Sequence, residues 1–583
     1  IIAQMFVKCK HLFDNFFDNF LKILFYFLFK CVIILNRNLG KQNFLRNGDN
    51  VMAEKKITKD IPRASFPEQV GIDRNEIKAL IDDFDQSNIE VHSLMLIRDG
   101  KIAYESYRYP YCKEAPHTMY SVSKSFTSVA IGFAIDEGLL TLDTKVIDLF
   151  PEYRPKKYDD NLEKLTIYHL LTMRAGKDVS LLSDKTKGTW VKDFFASKWA
   201  FAPGESWRYI SENTYMCCVI IKKLTGMGVI DYLTPRLFEP LGITRRPFWE
   251  HDQQGVEAGG WGLYITTDEL ARFILCVANG GKYAGEQVIP AWYAEQATSK
   301  QVENNQYSDV DSNKGYGFFF WMNAMENSYR ADGMFSQFGI VFKDYNAQLI
   351  MTCCETLEQK TRDCIFRHFP QMFIDKKRAR PKEAIELPEL SPLPNLPAAP
   401  RSVMEEFIKG KTIHFYKNPV LNAAGWPLSM LPLAVVYMSA NRAGNIDNVV
   451  LDFGENECTM TWDEGSEHNT IVCGMDGNDR RSHIRLGGID FTAVSSAAWT
   501  SDSTLEIWMR PLESVCERRI TLEFEGSSVT LYPESQPPLS TIANSVKGEV
   551  QTFIPNEKLA ELGGKALMKL DRIVEAPIPG KMI

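Results

Sequence analysis

The sequence predicts an α/β region in which helices and strands alternate, followed by an all-β domain built as a small barrel or sandwich. From about Val70 to Phe373, helix-like and strand-like patterns succeed one another along the chain. From about Ser402 to Ser535, short alternating segments are separated by turn residues, which is typical of antiparallel β-structure. Residues 381–400, between these regions, contain six of the 28 prolines. The length of 583 residues fits two to four domains of roughly 150 residues each.

Charge and composition exclude several classes of protein. The 66 Lys and Arg residues against 74 Asp and Glu residues leave a net charge of −8, which argues against a nucleic-acid binder that neutralises phosphates. A hydrophobic fraction of 45% excludes a disordered or collagen-like chain. Twelve cysteines are too few for a disulfide scaffold. Because Cys217–Cys218 and Cys353–Cys354 lie in apolar runs, we expect buried free thiols and a cytoplasmic protein.

Residues 1–51 form an atypical extension with three competing interpretations. The first 50 residues contain nine of the 35 Phe residues and no Ser, Thr, Pro or Glu. The segment is a stretch upstream of the true start at Met52, translated in error, or a membrane anchor, or a signal peptide. Lys22 and Lys30 interrupt the apolar run 20–35, so no uncharged run reaches the roughly 18 residues of a spanning helix. No small-x-small cleavage site follows the run. We favour the first interpretation, while an anchor would attach the protein to a membrane.

Local patterns predict the elements of the first region. An amphipathic helix is expected over Asn75–Phe84, with a start signal at Asp73. Two strand-like segments, Val91–Ile97 and Lys101–Tyr107, meet at a hairpin signal. The remaining predicted elements are a long helix over Ser121–Glu137 that ends at Gly138, and a strand pair over Ser336–Phe342 and Ala347–Cys353.

A proline-rich linker is predicted over residues 376–401. Its leucines recur at every third position, and polyproline II has three residues per turn, so these leucines would share one face. They are Leu387, Leu390, Leu393 and Leu396. The linker is therefore either a flexible connection or an extended segment whose leucine face docks on a domain. We favour the second interpretation and call this docked segment the strap.

The all-β domain is predicted over residues 402–540. Turn residues such as those at 463–465 and 525–526 separate its short strand-like segments. The clearest segments are Asn448–Phe453, Cys458–Trp462, Thr504–Met509, Ile520–Phe524 and Ser528–Tyr532. Residues 541–583 are expected to form a mixed tail with one helix near Asn556–Leu567.

Several common catalytic and cofactor motifs are absent from the sequence. There is no G-x-S-x-G elbow, no Walker A sequence, no H-E-x-x-H and no C-x-x-C. The nine histidines are scattered, and we expect His117 and His169 to be structural. The sequence therefore predicts neither a metal nor an organic cofactor.

One pattern carries chemistry, the segment Ser121-Val-Ser-Lys124 at the start of the long predicted helix. Residues three apart share a helix face, so the two side chains are expected one turn apart. A buried lysine can take the proton of a serine if desolvation lowers its pKa, and a helix N-terminus suits an oxyanion. Because S-x-x-K occurs by chance in many chains, the pattern alone does not identify an enzyme.

The surrounding sequence resembles the serine β-lactamase-related superfamily, and its nearest branch looks like class C β-lactamases, D-alanyl-D-alanine peptidases and their esterase relatives. The matching segments follow in the family's order: Met119–Ser128, Glu137–Asp143, Leu165–Met173, Pro203–Tyr209, Gly259–Leu263 and Asp268–Phe273. The resemblance extends over about residues 69–375 and implies an antiparallel sheet flanked by a cluster of helices. Residues 411–532 resemble, more weakly, the lipocalin-like domains that follow such hydrolase domains.

The family's second motif, Tyr-x-Asn or Tyr-x-Ser, corresponds to Tyr209-Ile-Ser211. The resemblance implies that Tyr209 exchanges protons with Lys124. This role is physically reasonable, because a tyrosine beside an ammonium group has a lowered pKa and can act as acid and base. Tyr215 is a rival because the local spacing admits a shift.

The third motif departs from the family pattern. Where relatives have Lys-Thr-Gly or His-x-Gly on an edge strand, this chain has Ala331-Asp332-Gly333, followed by Met334. The glycine still permits close approach of the backbone, and the resemblance implies that the N–H of Met334 is the second oxyanion donor. The cation that would bind a β-lactam carboxylate is replaced by Asp332, which we expect to repel such a carboxylate.

These residues predict a serine hydrolase that cleaves an ester or amide bond of a small molecule through a covalent acyl-enzyme. Ser121 is the expected nucleophile, with Lys124 and Tyr209 as proton carriers. One alternative is a D-alanyl-D-alanine peptidase or weak β-lactamase, and the peptidase would require export. Another is a catalytically inactive binding protein that keeps the pocket, an idea that the altered third motif supports. No particular natural substrate or oligomeric state is predicted.

Overall fold

The computed structural model describes residues 59–178, 190–252, 254–305, 309–375, 386–417, 428–431, 444–538, 540–541 and 575–583. The predicted extension over residues 1–51 and the helix predicted near residues 556–567 lie outside the described residues.

The helices and strands of the described residues are numbered here in chain order. The helices are α1 (Arg74–Gln86), α2 (Ser123–Asp136), α3 (Val146–Leu149), α4 (Asp160–Lys164), α5 (Ile167–Leu171), α6 (Trp190–Ala196), α7 (Ser211–Thr225), α8 (Val229–Leu233), α9 (Thr267–Ala278), α10 (Ala291–Ala297), α11 (Glu358–His368) and α12 (Met404–Ile408). The strands that precede the linker are β1 (Val91–Arg98), β2 (Lys101–Tyr107), β3 (His117–Thr118), β4 (Lys177–Asp178), β5 (Lys198–Trp199), β6 (Phe248–Trp249), β7 (Leu263–Ile265), β8 (Lys282–Tyr283), β9 (Glu286–Gln287), β10 (Trp321–Met322), β11 (Ser328–Gly333), β12 (Gln337–Phe342) and β13 (Ala347–Cys353). The strands that follow it are β14 (Thr412–Phe415), β15 (Ile446–Phe453), β16 (Glu457–Glu464), β17 (Glu467–Gly474), β18 (Arg480–Leu486), β19 (Ile489–Ser501), β20 (Thr504–Pro511), β21 (Glu517–Glu525), β22 (Ser528–Gln536) and β23 (Ile578–Met582).

A six-stranded antiparallel sheet forms the centre of the first domain, in the order β10-β11-β12-β13-β1-β2. Successive residues of β1 face opposite sides of the sheet, as a pleated strand requires. Leu94 and Leu96 pack with α1 and α11, whereas Met95 and Ile97 belong to the larger core that includes α2, α7 and α9. Because both faces are covered, the strand is buried almost throughout. The predicted fold class of this domain is confirmed.

The predicted helices form for identifiable local reasons. The carboxylate of Asp73 accepts the N–H of Asn75 at 2.9 Å and caps α1, which confirms the predicted start signal. Helix α2 is buried on all sides from Ser123 to Ala134, so it is a central helix rather than one with a single apolar stripe. The chain leaves this helix at Gly138, which has φ 72°.

The second domain is a closed β-barrel. Nine strands follow one another in the order β17-β16-β15-β14-β23-β22-β21-β20-β19, and a parallel bridge between Gly474 and Ser496 joins the two ends. Strand β18 pairs with β19 beside this ring. Closure leaves no unpaired sheet edge within the ring, and the alternate residues of each strand fill the interior. Of the two architectures predicted, the barrel is therefore the one found.

The predicted C-terminal tail requires a correction. Residues 578–582 form β23, which pairs with β14 and β22 and completes the barrel. This five-residue strand contains Pro579 and is too short for its alternation to identify it. Its position depends on the two neighbouring strands, which the local sequence does not contain.

The described part of the linker docks on both domains, which confirms the strap. Leu390 packs with the outer core of the first domain and donates its N–H to Ser106 Oγ at 3.0 Å. Six residues later the N–H of Leu396 donates to Ser496 Oγ of the barrel at 3.1 Å, and its side chain is also buried. Backbone polar groups of the strap are thus satisfied at both ends.

The two histidines and the adjacent cysteines for which the sequence predicts a structural role lie within the packed protein. His169 forms a capping box with Thr166 at the start of α5. His117 is buried, and its Nε2 lies 3.0 Å from Nδ1 of His92. Cys217, Cys218, Cys353 and Cys354 are free thiols, and all but the partly exposed Cys354 are buried.

Candidate active site

Ser121 lies in a 3₁₀ turn, Tyr120–Val122, that leads directly into α2. The sequence predicted that the α-helix would begin at Ser121, whereas it begins at Ser123. A 3₁₀ turn is common at the start of an α-helix, and it also brings residues i and i+3 over one another. The expected pairing of Ser121 with Lys124 therefore survives this correction.

The Lys124 side chain is almost completely buried, with 1% of its surface exposed. Its Nζ lies 2.8 Å from Ser121 Oγ and donates to the carbonyl oxygen of Gly260 at 2.7 Å. The carbonyl anchors the lysine on one side while the serine, which is partly exposed, occupies the other. This geometry suits proton transfer between the two side chains.

Tyr209 lies next to this pair, in the chain just before α7. Lys124 Nζ is 4.7 Å from the centroid of the Tyr209 ring, within the range of a cation–π contact. The rival Tyr215 is elsewhere: its hydroxyl donates to Asp252 Oδ2 at 2.7 Å, and its ring packs edge-on against Trp190. The geometry therefore favours Tyr209 over Tyr215.

Close packing of the glycine segment 259–262 against α2 and α7 shapes the floor of the site. A Cβ on Gly260 would lie 2.8 Å from Cβ of Ser211 and 3.0 Å from its Oγ. Glycine is therefore required for the backbone to bring its carbonyl to Lys124. Ser211 itself begins α7 and packs against Gly260, whose carbonyl holds the lysine.

The end of β11 approaches the serine turn from the opposite side. A Cβ on Gly333 would lie 2.4 Å from the carbonyl oxygen of Met119, which precedes the turn by one residue. Met334 follows Gly333 and is partly exposed. Glycine is therefore required here for packing against the chain that leads into the serine turn, and the predicted approach of this backbone to a substrate stays a prediction.

Asp332 is held in a buried ion-pair network. Its Oδ2 lies 2.5 Å from Nε of Arg330 and 3.6 Å from Nη1 of Arg362. The expectation that Asp332 would act as a bare negative charge against a substrate carboxylate is therefore wrong. The guanidinium groups of Arg330 and Arg362 offset that charge. The pattern Ala-Asp-Gly could not reveal the second partner, because Arg362 comes from α11.

The sequence reading missed two parts of the site. One is the Gly260 carbonyl, since a backbone acceptor has no residue-type signature. The other is a cluster of aromatic rings around Tyr209, with centroid separations of 5.0 to 6.3 Å, formed by Trp207, Tyr316 and Trp321. Trp207 falls inside the recognised segment 203–209, but Tyr316 and Trp321 are over 100 residues away.

The residues that the structure describes contain no group of three or more His, Cys, Asp or Glu side chains that could hold a metal. None of the helices described is both long and apolar enough to cross a membrane.

Residues 77–360 match the family model described as Beta-lactamase. The matched stretch, a little under half of the chain, contains the Ser121 turn, α2 and the end of β11, so this part of the chain is similar to the beta-lactamase family.

Individual relatives are distant. The 6-aminohexanoate-dimer hydrolase of Paenarthrobacter ureafaciens is 22% identical over 222 residues, which make up 35% of this chain and 56% of that protein. Esterase EstB of Burkholderia gladioli is 27% identical over 141 residues, or 21% of this chain and 36% of that protein. The chain thus spans about half the length, or less, of these curated relatives. A penicillin-binding protein homologue from Caulobacter crescentus has a similar solved structure, with 13% identity, a TM-score of 0.43, and coverage of 52% of this chain and 99% of that chain.

Proposed function

We propose that this protein is a serine hydrolase that cleaves ester or amide bonds of small molecules through a covalent acyl-enzyme. The observation that carries the proposal is the 2.8 Å separation between Lys124 Nζ and Ser121 Oγ at a buried lysine that is itself anchored by the Gly260 carbonyl. A serine hydroxyl needs a base within hydrogen-bonding distance to become a nucleophile at neutral pH.

In the first half-reaction, Ser121 Oγ forms a bond to the substrate carbonyl carbon as its proton passes to the Lys124–Tyr209 pair. The N–H groups of Ser121 and Met334 hold the negative oxygen of the tetrahedral intermediate. The bond to the leaving alcohol or amine then breaks, and the leaving group takes the proton. In the second half-reaction, water attacks the acyl carbon and gives up a proton to the same pair. The bond between Ser121 Oγ and the acyl carbon then breaks, Oγ takes that proton back, and the acid is released.

The names of the relatives support both bond types, since one is a hydrolase of a 6-aminohexanoate dimer, in which an amine and a carboxylic acid can join as an amide, and another is an esterase. The aromatic rings beside Tyr209 are almost completely buried, so they support a fixed position for that side chain rather than a contact with substrate. A small neutral ester is therefore the substrate to test first.

Covalent labelling with a fluorophosphonate probe tests the proposal. We expect the wild type to be labelled at Ser121, and Ser121→Ala to lose labelling and ester turnover while keeping its melting temperature. Ser125→Ala is the matched control, because Ser125 lies in α2 just after the serine turn and donates to the Phe319 carbonyl instead. Labelling that persists at another serine in Ser121→Ala would overturn the nucleophile assignment.

The same measurements separate the alternatives. An unlabelled wild type that still binds small acyl compounds would favour the inactive binding protein. Faster turnover of a chromogenic cephalosporin or a D-alanyl-D-alanine peptide than of a short-chain nitrophenyl ester would favour the β-lactamase or peptidase.

A further inference from the structure

The barrel reaches the serine segment through one turn, Leu512–Cys516, which connects β20 to β21. All five residues of this turn are buried, and Val515 and Cys516 have no exposed surface. A turn between two strands normally lies at the surface. This turn is covered because it is inserted against the first domain.

Backbone hydrogen bonds join the turn to the chain just before the serine. The N–H of Thr118 donates to the carbonyl of Glu513 at 3.0 Å, three residues before Ser121. The hydroxyl of Tyr111 donates to the carbonyl of Ser514, also at 3.0 Å. The barrel therefore contacts the strand that delivers the candidate nucleophile.

Two side chains that flank the candidate oxyanion donors are anchored in the barrel core. Tyr120 immediately precedes Ser121, and Phe335 immediately follows Met334. Both are buried in the hydrophobic cluster of the barrel rather than in either core of the first domain. Their ring centroids are 5.2 Å apart. Val515 and Cys516 of the turn are buried in the same cluster, so the turn and the two rings share one core.

The backbone at these positions is strained. Tyr120 has φ 43°, Phe335 has φ 64° and Ser336 has φ 66°, all in the left-handed region that residues other than glycine avoid. Such conformations persist when the surrounding structure holds them. At Tyr120 and Phe335, the anchored rings supply that constraint.

We propose that the barrel turn Leu512–Cys516, acting through Tyr120 and Phe335, positions the Ser121 and Met334 N–H groups as one preorganised oxyanion site. The turn and the two aromatic residues are positioning residues, and through them the barrel contributes to the rate of the reaction. This inference rests on the proposed function. The effect on the reaction rate should be large, because a displacement of about 1 Å in a reacting group can cost roughly 100-fold in rate.

Four variants of the full chain test the inference. Tyr120→Ala removes the anchored ring, and Val515→Ala shortens an apolar side chain of the turn in the same cluster. Tyr120→Phe keeps the ring and is the rescue variant. Leu522→Ala is the matched control, because Leu522 is buried in the same cluster but lies six residues along β21 from Cys516, about 20 Å at roughly 3.3 Å per residue.

For each variant, the fluorophosphonate acylation rate, kcat, KM and Tm are measured. We expect Tyr120→Ala to lower acylation and kcat by about 10- to 100-fold with KM within about threefold. We expect about a 3- to 10-fold loss in Val515→Ala and near wild-type rates in Tyr120→Phe. Leu522→Ala should lose at least as much Tm as Val515→Ala without losing acylation.

Hydrogen exchange gives a readout that does not depend on activity. Peptides that contain Thr118 and Ser121 should exchange faster in Val515→Ala than in the wild type. In Leu522→Ala their exchange rate should be unchanged. The inference is overturned if Leu522→Ala loses as much acylation as Val515→Ala, or if Tyr120→Ala acylates at the wild-type rate. A wild type that is not labelled at Ser121 would instead overturn the proposed function, and with it this inference.

Discussion

At the scale of single residues, two tyrosines in the same stretch of chain have different surroundings. Tyr209 has Lys124 over its ring, whereas Tyr215 donates to the buried carboxylate of Asp252. Burial raises the pKa of Tyr215 far above its usual value, and the carboxylate of Asp252 adds to the shift. A hydroxyl in that state does not give up its proton at neutral pH, so Tyr215 is poorly suited to proton transfer.

Tyr209→Phe should lower kcat by about 100- to 10,000-fold, because it removes a proton carrier and keeps the ring that packs on Lys124. Tyr215→Phe is the control. It should lower the free energy of unfolding by about 1–3 kcal/mol, because Asp252 loses a buried donor, and leave kcat within about threefold. Ester turnover and urea unfolding provide the two measurements. Equal losses of kcat in both variants would contradict the assignment.

Asp332→Asn should act on stability rather than on specificity. The change removes the carboxylate charge that pairs with Arg330 and Arg362, and Arg330 is buried completely. Breaking a buried ion pair by removing one partner costs about 3–5 kcal/mol of unfolding free energy. Urea unfolding measures this loss. We expect the ratio of kcat/KM for an ester to that for a cephalosporin to stay the same, and a large change in that ratio would show that Asp332 faces the substrate after all.

At the scale of elements, the centre of α2 is packed too tightly for any side chain at Gly132. A Cβ there would lie 2.5 Å from Cδ1 of Tyr293 in α10, whose hydroxyl is bonded to Ser128 of α2. The aromatic ring therefore cannot move without breaking the contact between the two helices.

Gly132→Ala should destabilise the protein even though alanine favours a helix by about 1 kcal/mol over glycine. Overpacking of a core costs about 1–3 kcal/mol, which equals or exceeds that gain. Gly226→Ala at the end of α7 is the comparison, because its Cβ would meet no atom within 4 Å and its φ of 74° alone should cost about 1–2 kcal/mol. Thermal unfolding measures the loss of stability in both variants, which is due to overpacking at Gly132 and to backbone strain at Gly226. A rise in Tm for Gly132→Ala would show that Tyr293 can move aside.

At the scale of the whole molecule, the two domains share a buried polar cluster. His92 Nε2 lies 3.0 Å from Glu90, which also pairs with Arg510 of the barrel at 2.6 Å, and Nδ1 of His92 faces His117. Burial lowers the pKa of His92 to about 4, against the opposing effect of Glu90. Burial also lowers the pKa of His117 to about 3, and the neighbouring His92 adds to this shift.

Acid should therefore weaken the folded protein through this cluster. An unfolded histidine binds a proton near pH 6.5, whereas the folded His92 resists protonation down to about pH 4. The stabilising difference is present above pH 6.5 and is lost as the pH falls through 4, which amounts to about 3 kcal/mol at 1.36 kcal/mol per pH unit. His92→Phe keeps an aromatic ring beside Tyr111 and removes this titration. The fall in unfolding free energy between pH 7 and pH 4 should shrink by about that amount, and an unchanged fall would contradict the prediction.

The sequence alone was sufficient to predict those features that depend on residues close together in the chain. The cap at Asp73, the hairpin at residues 99–100 and the strand pair before residue 353 depend on neighbours within a few positions. The pairing of Ser121 with Lys124 is also local, because a spacing of three brings two side chains together in either kind of helical turn. An ordered series of motifs then gave the resemblance to the family whose model matches residues 77–360.

The tertiary structure alone decided what depends on distant segments. Asp332 is neutralised by Arg362 from another element, β23 is a strand because two barrel strands flank it, and Lys124 is anchored by a carbonyl 136 residues away. Closure of the barrel and the insertion of its 512–516 turn behind Tyr120 are likewise invisible in local patterns. The physical reason is that a periodicity reports which face of an element is apolar, whereas the partner that covers that face is chosen only when the whole chain packs.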